Sequence, residues 1–399
     1  MTAAGPRMGS SFRSVAELWH HRIESTPDAE ALTYRHGGHW VTESWIQVGV
    51  RVRNIANALL KLELAPEDRV CLWSETRYEW VVADLAILCA GGATTTIYPT
   101  SPEHEAYFIA DHSEAVVIFC DTRERAEQLS GWRARLPRVR QVIVFDEDSS
   151  GPPISPDGWV VTLSVFETLG RAYGLDMPGT YDAARRAIAP DSLATLIYTS
   201  GTTGTPKGVM LTHDSWVYEA EAVDSLGLIS PADKQYLYLP LSHVFAKVLQ
   251  ILFIRLGVPT VIDGDTDRLV ANLKNARPTF MGAVPRMFEK AFSRTLTRAT
   301  EGGRARYALF RWALRTGSEI SKRQQSRRPL SPVMMLKSKA ANQLVFSKVR
   351  EAFGGHIRFL ISGGAPLSPE IAEFFHACGV LILEGYGLTE SAAASCVNT

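Results

Sequence analysis

Short apolar runs alternate with amphipathic segments along the first 145 residues. The apolar runs are 69–73, 94–98, 115–120 and 141–145. The segments between them, 78–89, 103–111 and 123–132, have the spacing of apolar side chains that is typical of helices. Strands that are apolar on both faces and alternate with helices indicate a parallel sheet covered on both sides. The pattern therefore predicts an α/β fold.

A second series of the same kind follows a polar border. Residues 147–160 are rich in Gly, Pro, Asp and Ser, which is typical of a loop between subdomains. Beyond this border, the predicted strands lie near 193–198, 259–263, 279–283, 357–362 and 380–383. A chain of 399 residues, 46% of them hydrophobic, can bury more than one core. We expect two α/β subdomains, approximately 1–180 and 190–399.

Local signals near the N-terminus predict a helix, a hairpin and a second helix. Ser14 and Glu17 have the spacing of a capping box that opens a helix. Gly37 and Gly38 predict the turn of a β-hairpin. Thr42 is the predicted N-cap of a long amphipathic helix.

The stretch 304–350 carries an apolar stripe beside a basic one. It predicts two helices separated by a break at Arg327-Arg328-Pro329. A packed helix with a solvated basic face explains this pattern, and such helices are common. The alternative interpretation is a contact with an anionic membrane surface.

Charge and cysteine content narrow the class of protein. The 42 Lys and Arg residues balance the 42 Asp and Glu residues, so the chain has no global field for nucleic acid or for an anionic membrane. The chain has five cysteines, an odd number, and no CxxC pair. This favours reduced thiols over a disulfide framework. No secretory signal is visible, and the apolar stretch 80–93 is too short to span a bilayer. We expect a cytoplasmic protein, with peripheral membrane contact as the alternative.

The segment YTSGTTGTPKGVMLTH, at 198–213, is the most informative in the chain. It follows the apolar strand at 193–197 and is dense in Gly, Ser and Thr before Lys207. Such a loop can turn backbone N–H groups and hydroxyls toward phosphate oxygens, while Lys207 supplies a point charge. It is not a Walker loop, because Pro206 precedes Lys207 and Gly208 follows it. The segment predicts a phosphate-binding loop.

Three further segments follow in order and complete a resemblance. They are LPLSHVF at 239–245, ISGGAPL at 361–367 and EGYGLTES at 384–391. With the loop, they resemble the signatures of the adenylate-forming superfamily, which includes acyl-CoA synthetases, luciferases and nonribosomal adenylation domains. The segment 344–367 resembles the long-chain fatty acid–CoA ligase branch in particular. The similarity extends over essentially the whole chain.

The resemblance implies a fold and a reaction. The fold would be the large N-terminal portion of the adenylate-forming fold, with two mostly parallel sheets and helices on both faces in an αβαβα arrangement. The reaction would join a carboxylate to the α-phosphate of ATP and then pass the acyl group from AMP to coenzyme A. We therefore expect a ligase whose partners are a long-chain fatty acid, ATP and CoA, with Mg²⁺ as cofactor.

The resemblance also assigns roles to residues. The β- and γ-phosphates would be held by Thr199, Ser200, Gly201, Thr202, Thr203, Gly204 and Lys207. Glu390 would bind Mg²⁺, and Thr389 would donate a hydrogen bond to the α-phosphate. The adenine pocket would be formed by Gly363, Gly364, Ala365, Tyr386 and Gly387, with the Tyr386 ring stacked on the base.

His243 is the expected neighbour of the carboxylate and the acyl-adenylate. The apolar helix after it and the strand near 280–284 would wall the acyl pocket. Taken alone, these residues have structural explanations: a His beside apolar residues is often a satisfied core residue, Glu390 could be a solvated helix-start acid, and Tyr386 a half-buried aromatic. Their place beside the phosphate loop favours the functional roles.

The family pattern continues past Thr399. Its ribose-binding Asp and its small C-terminal domain, with a Lys that contacts the carboxylate, find no counterpart in this sequence. We therefore expect a chain that lacks the C-terminal domain. Two alternatives to a fatty acid–CoA ligase stay open: a nucleotide- and fatty-acid-binding fragment without turnover, and a ligase for a different carboxylic acid.

Overall fold

The computed structural model describes residues 11–145, 155, 157–199 and 206–398. The strands in these ranges are β1 (Glu30–His36), β2 (His39–Ser44), β3 (Arg69–Trp73), β4 (Ala93–Ile97), β5 (Val117–Cys120), β6 (Gln141–Val144), β7 (Val160–Thr162), β8 (Leu193–Thr199), β9 (Lys207–Thr212), β10 (Gln235–Leu237), β11 (Thr260–Ile262), β12 (Phe280–Ala283), β13 (Phe359–Ser362), β14 (Leu381–Tyr386) and β15 (Cys396–Val397).

The helices in the described ranges are α1 (Val15–Ser25), α2 (Trp45–Lys61), α3 (Tyr78–Cys89), α4 (Glu103–His112), α5 (Arg123–Trp132), α6 (Leu163–Asp176), α7 (Thr180–Ala187), α8 (His213–Asp224), α9 (Val244–Leu256), α10 (Leu269–Ala276), α11 (Pro285–Glu301), α12 (Gly303–Gln325), α13 (Pro332–Ala341), α14 (Ser347–Glu351) and α15 (Pro369–Ala377). A π turn at Asn342–Phe346 joins α13 to α14, and a 3₁₀ turn covers Thr389–Ser391. The fold is α/β, as the sequence predicts.

The described chain forms two compact units that interleave along the sequence. Unit 1 comprises the described residues up to Pro231 together with Pro240–Gly264 and Leu388–Ala393. Unit 2 comprises Ala232–Leu239, Asp265–Gly387 and the residues from Ala394 onward. The subdomains expected at 1–180 and 190–399 stay a prediction.

A seven-stranded sheet forms the centre of unit 1. Its strand order is β7-β6-β5-β3-β4-β8-β9, parallel from β7 through β8, with β9 antiparallel at the edge. Every side chain of β4 and β5 is buried. Such continuous burial is typical of a parallel sheet covered on both faces, and it explains why these strands lack an alternating pattern.

Unit 2 contains a second, mostly parallel sheet in the order β15-β14-β13-β12-β10. Ala283 pairs with Ser362, so β12 and β13 end side by side. Ser362 pairs with Glu384, and β14 runs two residues further to Tyr386. The short β15 returns antiparallel to β14. The carboxyl ends of neighbouring parallel strands therefore meet at one edge, which is where open α/β sheets bind ligands.

The N-terminal segment confirms two predictions and corrects one. Ser14 caps α1, since its Oγ accepts from the Glu17 N–H at 3.1 Å. The hairpin β1–β2 turns through Gly37 and Gly38, both with positive φ. The prediction that Thr42 caps the second helix is wrong, because Thr42 lies within β2 and Ser44 is the N-cap of α2. Pairing along the hairpin extends β2 by two residues beyond Thr42.

The two helices predicted in 304–350 are confirmed. Helix α12 ends at Gln325, and α13 begins at Pro332, so the Arg-Arg-Pro sequence lies between them. Phe310, Ala313 and Ile320 of α12 are buried, which makes this an amphipathic helix that packs on one face. No helix in the described residues is long and apolar enough to cross a membrane.

A buried ion pair lies inside unit 1, on the helix that follows His243. Lys247 of α9 pairs with Asp84 of α3, and both side chains are fully enclosed. Gln250 Nε2 also donates to Asp84 Oδ2, at 2.6 Å. The Lys247 ammonium lies 5.6 Å from the ring centroid of Trp80 and 6.0 Å from that of Trp216. Burial lowers the pKa of Lys247, while Asp84 opposes this.

We predict that Lys247→Met strongly destabilises unit 1. The substitution leaves the Asp84 carboxylate buried without a cation, which typically costs about 3–5 kcal/mol. Urea unfolding followed by Trp fluorescence measures this loss, because Trp80 and Trp216 flank the pair.

The double variant Asp84→Asn/Lys247→Met removes both charges and should recover most of the stability. Lys61→Met, at an exposed lysine of α2, is the matched control and should stay within about 0.5 kcal/mol of the parent. A Lys247→Met variant as stable as this control would contradict the prediction.

Candidate functional site

The predicted phosphate loop is carried by the β8–β9 hairpin of unit 1. Thr199 ends β8 and is the Cα partner of Lys207, which begins β9. Ser200, Gly201, Thr202, Thr203 and Gly204, also predicted to contact phosphates, lie outside the described residues. Lys207 is exposed at the strand's first position. The hairpin therefore fixes both ends of the loop and leaves the ammonium group accessible.

The side chain of Tyr198 in β8 packs between His112 of α4 and Gly208 of β9. Its hydroxyl lies 2.9 Å from His112 Nδ1, and its ring packs edge-on against His112. A Cβ on Gly208 would lie 3.2 Å from Cζ of the Tyr198 ring, so glycine lets β9 approach that ring closely. Burial raises the pKa of Tyr198, which keeps its hydroxyl protonated.

Thr389 and Glu390 lie in the 3₁₀ turn Thr389–Ser391, which belongs to unit 1 and packs beside β9. The turn is closed by the Leu388 N–H, which donates to Ser391 Oγ at 3.3 Å. Glu390 is exposed and Thr389 is half-buried. The structure thus brings the Glu390 turn to the strand that begins with Lys207.

Glu390 can coordinate Mg²⁺, but one carboxylate does not make a complete set of ligands. Among the described residues, no group of three or more His, Cys, Asp or Glu side chains could hold a metal ion. Mg²⁺ prefers oxygen ligands and is commonly bound by one or two carboxylates together with substrate phosphates and water. A single exposed carboxylate near the predicted phosphate loop fits that second arrangement.

His243 caps helix α9 and is half-buried in unit 1. Its Nδ1 accepts the Phe245 N–H at 3.1 Å, so the neutral ring carries its proton on Nε2. Burial lowers the pKa of His243, which keeps the ring neutral at physiological pH. The ring of Tyr98 lies edge-on to it, at a centroid distance of 6.4 Å. His243 can therefore donate a hydrogen bond without bringing a charge.

Two threonines that the sequence did not single out hold the turn before His243. Thr96 Oγ1 of β4 donates to the Ser242 carbonyl at 3.1 Å. The Leu241 N–H donates to Thr76 Oγ1, also at 3.1 Å. Thr76 follows β3, and Thr96 pairs with Ile197 of β8. The turn of His243 is thus fixed at the carboxyl edge of the sheet, where β8 ends at Thr199 before the predicted phosphate loop.

The glycines predicted to line the adenine pocket follow β13 in unit 2. The Gly363 N–H donates to the Ala283 carbonyl at 3.3 Å, which ties the turn to the end of β12. Gly364 has φ +83°, a conformation that side chains with a Cβ rarely adopt. Ala365 continues this turn and is exposed. Gly363 is buried, so Gly364 and Ala365 present the open backbone at the carboxyl edge of the sheet, which a flat ring can approach.

Tyr386 ends β14 at the same edge of unit 2. Its side chain is 63% exposed, so one ring face is free to stack. The Ser395 N–H donates to the Tyr386 carbonyl at 2.9 Å, and Tyr386 pairs with Cys396 of β15. These contacts fix the backbone under the ring. Gly387, the last residue of this part of unit 2, is also exposed. Tyr386 is therefore an accessible aromatic rather than a buried one.

The predicted site residues thus form two groups by position in the fold. Thr199, Lys207, His243, Thr389 and Glu390 lie in unit 1. Gly363, Gly364, Ala365, Tyr386 and Gly387 lie in unit 2. The first group has the cation, hydroxyl and carboxylate that suit phosphates and metal, and the second has the glycines and aromatic ring that suit a base.

The helix and the strand that the resemblance predicts to wall an acyl pocket are apolar, and each packs within its own unit. Helix α9 is buried over most of its length and packs against α1 and α8 in unit 1. Strand β12 of unit 2 is buried throughout. That α9 and β12 wall an acyl pocket stays a prediction.

Comparison with known solved structures supports the fold. The N-terminal domain of FACL13 from Mycobacterium tuberculosis superposes with a TM-score of 0.68 at 20% identity, covering 97% of this chain and 78% of that one. A long-chain-fatty-acid–CoA ligase, FadD1, from Archaeoglobus fulgidus gives a TM-score of 0.68 at 16% identity, covering 100% and 68%. At these identities the likeness establishes the architecture.

Sequence comparison establishes the family. Long-chain-fatty-acid–CoA ligase FadD15 of Mycobacterium bovis is 32% identical over 389 residues, which is 96% of this chain and 62% of that one. Long-chain-fatty-acid–CoA ligase ACSBG1 of Rattus norvegicus is 29% identical over 387 residues, 95% of this chain and 52% of that one. The chain thus spans less than two thirds of the length of these relatives. Residues 19–399 match the family described as AMP-binding enzyme, and the chain belongs to that family.

Proposed function

We propose that the protein activates a long-chain fatty acid with ATP, forming acyl-AMP and then acyl-CoA. The observation that carries this proposal is the grouping, in one compact unit, of Lys207 at the phosphate loop, the Glu390 turn beside β9, and His243 at the carboxyl edge of the sheet. The named relatives, which are long-chain-fatty-acid–CoA ligases, support the choice of acid.

The first half-reaction faces an electrostatic obstacle. A carboxylate must approach a triphosphate, and two unit charges 4 Å apart repel by about 4 kcal/mol at an effective dielectric of 20. In this proposal Lys207 and the loop hydroxyls hold the β- and γ-phosphates. Glu390 holds Mg²⁺, which draws charge from the phosphoryl oxygens, and Thr389 donates to the α-phosphate.

His243 would orient the carboxylate. Its Nε2–H is the free donor of a neutral ring, since Nδ1 already accepts the Phe245 N–H. A neutral donor can fix one carboxylate oxygen without forming an ion pair that would weaken the nucleophile. Thr76 and Thr96 would be positioning residues, because they hold the turn that presents this ring.

The unit 2 group would take the adenine. Tyr386 presents an open ring face, and Gly364 leaves room for a flat base against the backbone. Gly363, which is buried, would line the pocket through its backbone. Ala365 and Gly387 would complete the lining. Coenzyme A would act as the acyl acceptor in the second half-reaction. The proposed setting is the cytoplasm, with peripheral contact at membranes, into which long alkyl chains partition.

A pyrophosphate-exchange experiment tests the proposal. Labelled pyrophosphate should enter ATP only when Mg²⁺ and a carboxylate are present, and long-chain fatty acids should support this better than short-chain or aromatic acids. Exchange supported only by short or aromatic acids would show that the protein is a ligase for a different acid. Clean ATP binding without any exchange would identify this chain as a binding fragment without turnover.

We predict that Lys207→Ala weakens binding of ATP more than binding of AMP. AMP lacks the distal phosphates that Lys207 would contact, and a charge-assisted hydrogen bond is worth about 2 kcal/mol, or roughly thirtyfold in Kd. Calorimetric titration of both nucleotides measures the difference. Met210→Ala, at an exposed position of the same strand, is the control and should leave both affinities unchanged. Equal losses for ATP and AMP in Lys207→Ala would contradict this placement.

We predict that Glu390→Gln weakens Mg²⁺-dependent nucleotide binding while the fold stays intact, because Glu390 is exposed. Replacing a charged ligand by a neutral amide should raise the Mg²⁺ concentration needed for half-maximal ATP binding by about tenfold. Glu127→Gln, at an exposed carboxylate of α5, is the matched control. An Mg²⁺ titration that matches this control would remove Glu390 from the metal site.

A further inference from the structure

One arginine of unit 1 joins the segments that follow neighbouring strands of the parallel sheet. Arg125 lies in the first turn of α5, at the carboxyl edge of that sheet. Its Nη1 donates to the carbonyl of Trp73, the last residue of β3, at 3.3 Å. Its Nη2 donates to the carbonyl of Pro99, which follows β4, at 2.7 Å. The guanidinium also lies 5.0 Å from the centroid of the Trp73 ring. A single side chain thus contacts the ends of two adjacent strands.

Asp121 is the counter-ion of this arginine and makes a further connection. Its Oδ1 accepts from Arg125 Nη1 at 2.5 Å, and its Oδ2 accepts the Glu75 N–H at 2.9 Å. Asp121 directly follows β5, and its side chain is 4% exposed, while that of Arg125 is 16% exposed. Arg125 and Asp121, called the edge pair below, tie the segments after β3 and β4 to the end of β5.

Each segment that the edge pair holds carries a residue in contact with the turn or the ring of His243. Thr76 directly follows Glu75, and its Oγ1 accepts a hydrogen bond from the turn before His243. Tyr98 directly precedes Pro99, and its ring lies edge-on to the imidazole. The backbone groups that the edge pair binds are therefore adjacent in sequence to both contacts.

A guanidinium suits this position better than any other cation. Its planar fork can donate to two carbonyls and a carboxylate at once, whereas a lysine ammonium is a point charge on a flexible stem. The buried carboxylate of Asp121 requires a cation, and either side chain could supply one. Only the fork also fixes the two segments. The placement of these segments, and not only the neutralisation of Asp121, thus depends on arginine.

We propose that Arg125 and Asp121 are positioning residues for His243, which they hold in place through Thr76 and Tyr98. The inference rests on the proposed function and deepens it, since His243 would orient the carboxylate that attacks ATP. A misplacement of about 1 Å in such a group can cost on the order of a hundredfold in rate. The edge pair itself touches neither the acid nor the nucleotide.

The variant Arg125→Lys separates position from charge, because an ammonium can still neutralise the carboxylate of the edge pair. Arg69→Lys is the matched control at the opposite edge of the same sheet, where Arg69 begins β3. Arg69 pairs with Glu114 and donates to the carbonyls of Glu67 and Ser113. Both substitutions therefore remove carbonyl contacts and keep a cation.

Hydrogen–deuterium exchange followed by mass spectrometry tests the positioning role without turnover. In Arg125→Lys the amides of 241–247 should exchange about tenfold faster, because the Leu241 N–H is held by Thr76 Oγ1. This acceleration should exceed any change in the amides of α2, which report on global opening of unit 1. Arg69→Lys should leave 241–247 at the parent rate. Parent-like rates in Arg125→Lys, or equal acceleration in both variants, would overturn the proposal.

Pyrophosphate exchange shows whether the edge pair acts through His243. Arg125→Lys should lower the fatty-acid-dependent rate at saturation about tenfold, while the Kd for ATP changes by less than about twofold. In a His243→Ala background the same substitution should change the rate by less than about twofold, because no imidazole is left to position. Arg69→Lys should change it by less than about twofold in either background. Equal losses for Arg125→Lys in both backgrounds would contradict action through His243.

Failure of the proposed function gives a different pattern. If the parent protein supports no pyrophosphate exchange with any acid, the ligase is rejected, and hydrogen exchange at 241–247 still decides whether the edge pair holds the turn. If the parent is active and Arg125→Lys has the parent rate, the positioning role alone is rejected.

Discussion

Parallel alignment of β3, β4 and β8 is the constraint on which the unit 1 site depends. Because these strands run in the same direction, their carboxyl ends meet at one edge of the sheet. Thr76, Thr96 and Tyr98 all lie at this edge and contact the turn or the ring of His243. Strand β8 ends beside them at Thr199, the first residue of the predicted phosphate loop. The common direction of the strands thus places residues that are far apart in the sequence at one edge of the sheet.

Much of this arrangement could be predicted from the sequence, because the signals are local. Apolar runs gave the strands of the parallel sheet, and the serine cap and the Gly37-Gly38 turn follow rules that need few neighbours. The one clear error, at Thr42, arose because Thr42 and Ser44 are both good caps. Pairing of Thr42 with Thr33 across the hairpin decides between them, and that pairing is not a local property.

Long-range contacts account for what the sequence did not reveal. The hydroxyls of Thr76 and Thr96 meet the His243 turn from more than a hundred residues away, and no pattern in a single sequence marks them. The interleaving of the two units is of the same kind, since Leu388–Ala393 joins unit 1 although its flanking residues belong to unit 2. The motif at 384–391 is one continuous segment in the sequence, whereas the structure divides it between units 2 and 1 at Gly387 and Leu388.

Lys247 has a further consequence for the chemistry of the folded chain. Its amine is wholly enclosed by Asp84, Gln250 and two tryptophan rings, one helical turn after His243. Acetylating enzymes and amine-reactive labels require an accessible, deprotonated amine, and this one is reachable only when α9 separates from α3. Covalent labelling of this lysine, compared with that of the exposed Lys61, would thus record how often the interior of unit 1 opens to solvent.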